Sequence, residues 1–261
     1  MPESDDAPIN QRGLTAAPAP QVEGSSPGSR LRELGRRWLG RTDFVVLVVA
    51  LCVAAALWGF TKVAHWVSEG RTQPLDDWVV KALRNPDNPR VPRGPAWFVE
   101  SVRDVTALGS PIVVALTLAT VAGYLALTKR YRAMLLAIGA SIGGGILSEL
   151  LKDEFQRPRP PFPSDITHPF SSSFPSGHSL LSAMVYLLLG AMLAKSEPRW
   201  AVKLYFVAVA MTLTFLVGAS RVILGVHYPS DVLAGWVAGL GWACAGWLTL
   251  RWWERRAGGE K

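Results

Sequence analysis

Charged residues are scarce in this chain of 261 residues, and they are unevenly spread. The sequence has 27 Lys or Arg and 20 Asp or Glu, together 18%, whereas about a quarter is usual in a soluble domain. Long stretches carry no charge, and the mean hydropathy is positive at +0.22. This distribution argues against an ordinary soluble domain and indicates a protein that spans a membrane.

Cysteine is nearly absent as well. The two cysteines, Cys52 and Cys244, both lie in apolar stretches, so they indicate neither a disulfide framework nor a metal site. A net charge of +7 could suit nucleic acid, but the 11 tryptophans and the charge-free stretches favour membrane anchoring. We therefore expect membrane lipids, and no nucleic acid, as partners.

Six apolar segments follow a polar N-terminal region, and five of them carry no charge. Counted with its flanking turns, each reaches the about 20 residues that a helix needs to cross roughly 30 Å of hydrocarbon. The segments are Phe44–Thr61, Val105–Thr128, Ala133–Leu151, Ser179–Ala194, Leu204–Ser220 and Val232–Leu250. The sequence therefore predicts an all-α bundle of six transmembrane helices within residues 39–253.

The regions outside the spans predict how the chain lies in the membrane. Residues 1–38 have few large apolar side chains and are interpreted as a disordered tail. Of the basic residues near the spans, 15 lie on one face and 11 on the other. Since cytoplasmic loops are enriched in Lys and Arg, we expect both tails, 1–38 and 254–261, in the cytoplasm of a cell with this protein in its inner (plasma) membrane.

The first outer loop contains a helical pattern. Its apolar residues recur at helical spacing with charged residues between them; they are Leu75, Trp78, Val79, Ala82 and Leu83. The pattern predicts either a helix on the membrane surface or a short helix packed over the bundle, and both interpretations stay open.

Three polar clusters lie at span ends on the outer side. They are Lys152-x6-Arg159-Pro160, Pro175-Ser176-Gly177-His178 and Ser220-Arg221-x5-His227-x3-Asp231. Together they resemble, at every position, the three-part pattern of the type 2 phosphatidic acid phosphatase superfamily. The resemblance covers residues 44–250 and includes the six-span layout. A weaker match is to a sequence common before the second helix in bacterial members, and it comprises Asp104, Thr106, Leu108, Gly109 and Ser110.

The resemblance implies catalytic roles for three residues. His227 would attack phosphorus and form a phosphohistidine, and His178 would protonate the leaving oxygen. Asp231, in the first turn of a helix that begins near Pro229, would hold the second ring nitrogen of His227. The alternative for Asp231 is a favourable interaction with the helix dipole alone.

A phosphate site is implied as well. Lys152, Arg159 and Arg221 would surround the phosphoryl oxygens. Ser176 is expected to cap a helix, and Gly177 would let backbone N–H groups approach an anion. The same basic residues could instead reach toward lipid headgroups.

Other polar residues are interpreted without a catalytic role. Arg157 lies outside the motif and is assigned to headgroup contact, and His65 and His168 are taken as interfacial residues. Glu149 is expected to pair with Lys152 one helical turn away, and Ser220 could add a hydroxyl donor. No metal or cofactor is expected, because the three cations already supply the neutralising charge and no Asp/Glu cluster lies near them.

The function that these expectations support is hydrolysis of a lipid phosphate or diphosphate at the outer leaflet. Undecaprenyl diphosphate is the first candidate, and phosphatidic acid or phosphatidylglycerophosphate is the alternative. Vanadium haloperoxidases share the three motifs but are soluble, and a transporter or scaffold is a third class. Transporters usually carry ionisable groups near the bilayer midplane, and none falls in the middle of these spans. The sequence determines neither the tail of the lipid substrate nor the oligomeric state of the protein.

Overall fold

The computed structural model describes residues 41–162 and 172–258. The predicted tail 1–38 and His168 lie outside these ranges. From Phe44 onward the described residues belong to one compact unit. Residues 254–258, assigned above to a tail, continue the last helix.

Eight helices account for most of the described residues. They are α1 (Arg41–Ser68), α2 (Gln73–Ala82), α3 (Ala96–Ala107), α4 (Pro111–Leu127), α5 (Tyr131–Phe155), α6 (Gly177–Ser196), α7 (Trp200–Ile223) and α8 (Pro229–Gly258). The predicted all-α class is confirmed.

Five of these helices, α1 and α5 to α8, are each long and apolar enough to cross a membrane. The second predicted span, Val105–Thr128, is not one straight helix, because α3 and α4 meet at an angle of 50°. Ser110 begins α4 by accepting a hydrogen bond from the N–H of Val113 at 3.3 Å. Pro111 follows in the first turn, where proline is tolerated since its missing N–H would have no helical partner. The second span is therefore broken between Ala107 and Pro111.

Helix α6 is the centre of the bundle and packs against α5, α7 and α8. Two glycines of α8 make the closest approach. A Cβ on Gly235 would lie 2.7 Å from the carbonyl oxygen of Ser176, and one on Gly239 would lie 2.6 Å from that of Leu180. Helices α6 and α8 thus touch backbone to backbone, as small residues permit within membranes. This contact brings the N-terminal ends of α6 and α8 side by side.

Helix α2 confirms the helix expected in the first outer loop, but the face it packs is different. Leu75 and Trp78 are 63% and 67% exposed, whereas Asp76 and Val80 are buried and α2 contacts α8. The apolar side chains of Leu75 and Trp78 therefore stay exposed, and α2 packs through the face that carries Asp76 and Val80. A carboxylate is buried there because it has partners on α8, which are described below.

Candidate active site

Four helix ends bring the predicted site residues together at one end of the bundle, which we call the motif end. Lys152 lies near the end of α5, His178 begins α6, Arg221 ends α7, and His227 precedes α8. His178 lies close enough to the other three, and to Arg159, to interact with them electrostatically. The clusters meet because consecutive spans run antiparallel. Each cluster either follows the end of one span or precedes the start of the next, so all of them lie at the same end of the bundle.

His227 is held by a backbone carbonyl. Its Nδ1 lies 2.8 Å from the carbonyl oxygen of Ser173. A carbonyl only accepts hydrogen bonds, so Nδ1 carries the hydrogen and Nε2 has the free electron pair. Asp231 Oδ2 is 3.6 Å from Nδ1, beyond hydrogen-bond distance. Ser173 is therefore the nearer partner of Nδ1, and the Asp231 carboxylate lies within ion-pair distance of the same nitrogen.

The ring of His227 is only 2% exposed. Burial lowers the pKa of His227 to about 4, because the charged imidazolium loses its hydration; Asp231 opposes this shift and Arg221 adds to it. The imidazole is consequently neutral at pH 7.

The carboxylate of Asp231 is fully buried and shared between two partners. Its Oδ2 accepts a hydrogen bond from the N–H of Tyr228 at 2.9 Å, which closes the first turn of α8 from the third helical position. Its Oδ1 accepts one from Arg157 at 2.5 Å. Asp231 therefore stabilises the helix start and also places negative charge near His227.

Arg159 lies directly in front of the free ring nitrogen. Its NH1 donates to the carbonyl of Val226 at 2.9 Å and lies 3.3 Å from His227 Nε2. Its NH2 reaches the carbonyl of Ser172 at 3.4 Å. Burial lowers the pKa of Arg159, but a guanidinium stays protonated at neutral pH. A cation therefore faces the nitrogen that is able to attack.

Arg221 comes from the end of α7 and is buried, with 6% exposed. Its NH1 donates to Thr106 Oγ1 at 3.1 Å, while its Nε finds no partner among the residues described. Thr106 belongs to the broken second span, and sequence reasoning gave it no role beyond a weak match. Ser220 donates to the carbonyl of Val217 within α7, so the expected hydroxyl donor is already engaged.

The start of α6 supplies His178 and a position for Lys152. Ser176 caps the helix as predicted, accepting from the N–H of Ser179 at 3.4 Å, and its own N–H donates to the carbonyl of Asp231. A Cβ on Gly177 would lie 3.3 Å from Lys152 Nζ. The ammonium group therefore lies against the helix start. Its predicted pairing with Glu149 is confirmed at 2.7 Å.

The break in the second span is in contact with His178. A Cβ on Gly109 would lie 3.3 Å from the Cβ of His178 and 2.3 Å from a methyl of Val217. Tyr186 fixes the same turn by donating to the carbonyl of Leu108 at 2.6 Å. The bend between α3 and α4 thus forms one wall of the site.

Arg157 is not a headgroup contact, and that interpretation was wrong. It is 9% exposed and pairs with Asp231 and, at 2.8 Å, with Asp76. It also donates to Ser230 and Gln73 at 2.8 and 3.0 Å. Burial alone would lower the pKa of Arg157, but Asp231 and Asp76 outweigh it and raise the pKa. Arg157 is therefore a permanently charged link between α2 and α8.

Asp76 completes that link and was missed in the sequence. One of its carboxylate oxygens accepts from the N–H of Ser230 at 3.0 Å, and the other accepts from the Ser230 hydroxyl at 2.5 Å. No spacing in the sequence connects Asp76 to Arg157, which lies 81 residues away. The only signal is an acid next to apolar residues in a predicted helix.

The segment that holds His227 is itself anchored by aromatic packing. Phe174 is fully buried, with ring centroids 4.9 Å from Phe155 and 6.0 Å from Phe60. The neighbouring Ser173 donates its N–H to the carbonyl of Arg157 at 2.8 Å and its hydroxyl to that of Pro158 at 3.0 Å. The Ser173 carbonyl is therefore fixed where His227 needs it. His65, in contrast, is exposed and pairs with Glu69 at 3.3 Å.

A buried histidine beside a cluster of cations, at the end of apolar spans, is the arrangement expected for the site of a membrane phosphatase. Comparison with known proteins agrees. The model of the PAP2 superfamily matches residues 130–256. Phosphatidylglycerophosphatase B of Bacillus subtilis is 36% identical over 189 residues, covering 69% of this chain and 86% of the relative. An undecaprenyl-diphosphatase of Sulfolobus acidocaldarius is 40% identical over 73 residues, 27% of this chain and 30% of the relative.

Among solved structures, a transmembrane PAP2-type phosphatidylglycerolphosphate phosphatase from Bacillus subtilis superposes with a TM-score of 0.67. It is 26% identical, and the match covers 78% of this chain and 96% of that one. The chain belongs to the PAP2 superfamily. It is a multi-pass membrane protein and an enzyme of the phosphatase type, so the transporter or scaffold alternative is not retained.

Proposed function

We propose that this protein hydrolyses the phosphate or diphosphate of a membrane lipid through a phosphohistidine on His227. The observation that carries the proposal is the geometry of that imidazole. Its Nδ1–H is tied to Ser173 at 2.8 Å and its Nε2 lies 3.3 Å from the guanidinium of Arg159. A phosphoryl group that takes up the Arg159 donors would leave the electron pair of the neutral Nε2 available for attack.

Binding would use the cations of the motif end. Arg159, Arg221 and Lys152 would contact the phosphoryl oxygens, and the start of α6 would add backbone N–H groups. The Nε of the buried Arg221, which has no hydrogen-bond partner among the described residues, supports this assignment, because a buried donor without an acceptor is costly unless a ligand supplies one.

Two displacements at phosphorus would follow. Nε2 of His227 attacks phosphorus as the bond to the leaving oxygen breaks, and His178 donates a proton to that oxygen. Phosphorylation makes the ring of His227 cationic, and the carboxylate of Asp231, 3.6 Å from Nδ1, would stabilise this charge. A water molecule then gives a proton to His178 and attacks phosphorus, releasing inorganic phosphate and the free imidazole. No step requires a metal ion.

The lipid substrate is proposed from the position of the site at the end of the spans and from the similarity of the chain to known phosphatases. A site at the end of the spans lets a headgroup enter while the acyl or prenyl chain stays in the bilayer. We place this end on the outer side of the inner (plasma) membrane, with both termini cytoplasmic, because of the distribution of basic residues. Undecaprenyl diphosphate is the first candidate substrate. Phosphatidylglycerophosphate is the second, and the similarity to phosphatidylglycerophosphatase B over 86% of that protein favours it.

The test is phosphate release by the purified full chain in detergent with EDTA present. Undecaprenyl diphosphate, phosphatidylglycerophosphate and phosphatidic acid are compared, with His227→Ala as the inactive variant and the exposed His65→Ala as the matched control. We expect release by the wild type and by His65→Ala, and a base-stable, acid-labile phosphoenzyme that His227→Ala lacks. Undiminished release by His227→Ala, or strict dependence on a divalent metal, would overturn the mechanism. A tenfold preference for one lipid, about 1.4 kcal/mol, would identify the substrate.

A further inference from the structure

A large cavity lies at the end of the bundle opposite the motif end. Its volume is about 980 Å³, and it is formed by the ends of α4 and α8, the end of α6 and the start of α5. Tyr131 lines it, and Lys152 lies 21 residues further along α5, about 32 Å away at 1.5 Å per residue. The cavity is therefore separate from the active site and at the other membrane face.

The wall of this cavity is apolar. Leu125 and Leu250 are buried, with 5% and 3% exposed, and Leu189, Met192 and Leu193 line the same space. An apolar chamber of this size between helices is suited to hydrocarbon chains, because the bilayer supplies these and they do not need polar partners.

The rim of the cavity is strongly basic, and we call this end of the bundle the basic end. It is lined by Lys129, Arg130, Arg132 and Lys195, all of them exposed. One acid, Glu254, also lines the cavity, and it is already paired with Lys195. The other three cations, Lys129, Arg130 and Arg132, line the apolar chamber and form no ion pair with the described residues.

We propose that this cavity binds an anionic phospholipid from the leaflet opposite the active site. The acyl chains would occupy the chamber between α4, α5, α6 and α8, and the phosphate would lie among Lys129, Arg130 and Arg132. Basic pockets between transmembrane helices bind anionic headgroups by this combination of charge and apolar volume. A soluble anion lacks the chains, and a zwitterionic lipid lacks the net charge, so neither meets both conditions.

The test measures binding of radiolabelled phosphatidylglycerol to the purified full chain in detergent. Unlabelled phosphatidylglycerol, phosphatidylcholine and glycerophosphoglycerol, which has no chains, serve as competitors. Phosphatidylglycerol is expected to compete at least tenfold better than the other two. Equal competition by phosphatidylcholine would overturn the requirement for charge, and equal competition by glycerophosphoglycerol would overturn the requirement for chains.

Variants locate the site. The double variant Lys129→Ala/Arg130→Ala is expected to weaken binding by about fivefold for each cation removed. Its matched control, Arg199→Ala/Lys203→Ala, removes two cations near the start of α7 on the same face, which do not line the cavity, and is expected to change binding less than twofold. Equal weakening in both would mean general attraction to a basic surface and would overturn the site.

A third variant leaves the charges in place. Ala133 lines the cavity, and Ala133→Trp would fill part of the chamber. We expect it to lose binding while its helix content by circular dichroism stays that of the wild type. Unchanged affinity in Ala133→Trp would overturn the proposal. Phosphatidylglycerol is also the product of one candidate reaction, so the variants at Lys129, Arg130 and Ala133, which line the cavity and not the active site, separate this binding from the phosphatase activity proposed above.

Discussion

The motif end and the basic end of the bundle hold their charges in opposite ways. At the motif end Asp76, Arg157, Arg221 and Asp231 are at most 9% exposed, and each makes a polar contact with another side chain. At the basic end the side chains of Lys195 and Glu254 are 31% and 43% exposed. Buried ions must be paired to be tolerated, whereas exposed ions are solvated and interact weakly. The fold therefore fixes the positions of the charged side chains at the motif end, and it leaves those at the basic end less constrained.

The largest effect on stability is expected from removing Arg157. Arg157→Ala leaves Asp76 and Asp231 buried without their countercharge, and we expect a loss of about 3–5 kcal/mol in the free energy of unfolding. Phosphatase activity should fall with it, because Asp231 lies beside His227. Thermal unfolding in detergent and initial rates measure both effects. Arg157→Lys, which keeps the charge but not the two-pronged contact, should recover part of the stability; a wild-type melting temperature in Arg157→Ala would contradict the interpretation.

Neutralising Asp76 is expected to have a smaller effect. Asp76→Asn keeps the shape of the side chain and an acceptor for Ser230, but it removes a charged acceptor from Arg157. Hydrogen bonds to charged groups contribute about 1.5–3 kcal/mol, so the loss of stability should fall in that range. The exposed Asp87→Asn, in the loop after α2, is the matched control in the same unfolding measurement. If the two variants unfold alike, the link from α2 to α8 is not a stabilising one.

Titration with acid tests whether the buried His227 at the motif end stays neutral in the folded protein. Its pKa is lowered to about 4, against about 6.5 in an unfolded chain. As the pH falls from about 6.5 to about 4, the unfolded state takes up a proton that the folded state refuses, so stability should decline through this window. The chain has four histidines, and nuclear magnetic resonance of labelled histidine, with His227→Ala for assignment, reports the ring directly. Titration of His227 near pH 6.5 would disagree with its burial.

The smallest effect is expected at the basic end. Lys195→Ala removes the ion pair with Glu254, and partly exposed pairs contribute about 0–1 kcal/mol that salt screens further. The melting temperature should shift slightly at low salt and less at high salt. A shift as large as that of Arg157→Ala would mean that exposure does not separate the two ends.

The sequence alone determined the class of fold and the end of the spans at which the motif residues lie. Apolar runs of spanning length specify helices because hydrocarbon offers the backbone no hydrogen-bond partners. Alternating spans bring their ends to the same side, which is why Lys152, His178, Arg221 and His227 were expected together and are found together. The length of an apolar run and the position of a motif at its end depend only on residues that are near each other in the sequence, so they can be predicted from the sequence.

Tertiary structure alone decided how those residues are held. Ser173 and His227 are 54 residues apart, Arg157 and Asp76 are 81 apart, and Thr106 and Arg221 are 115 apart. Each pairing exists because helix packing brings the two groups together after desolvating them, and no local propensity records it. The bend between α3 and α4 belongs here too, since its contact with His178 depends on the close approach of α6. A sequence therefore identifies the residues of such a site, but the packing of the bundle chooses their partners, because the cost of burying a charge is set by what surrounds it.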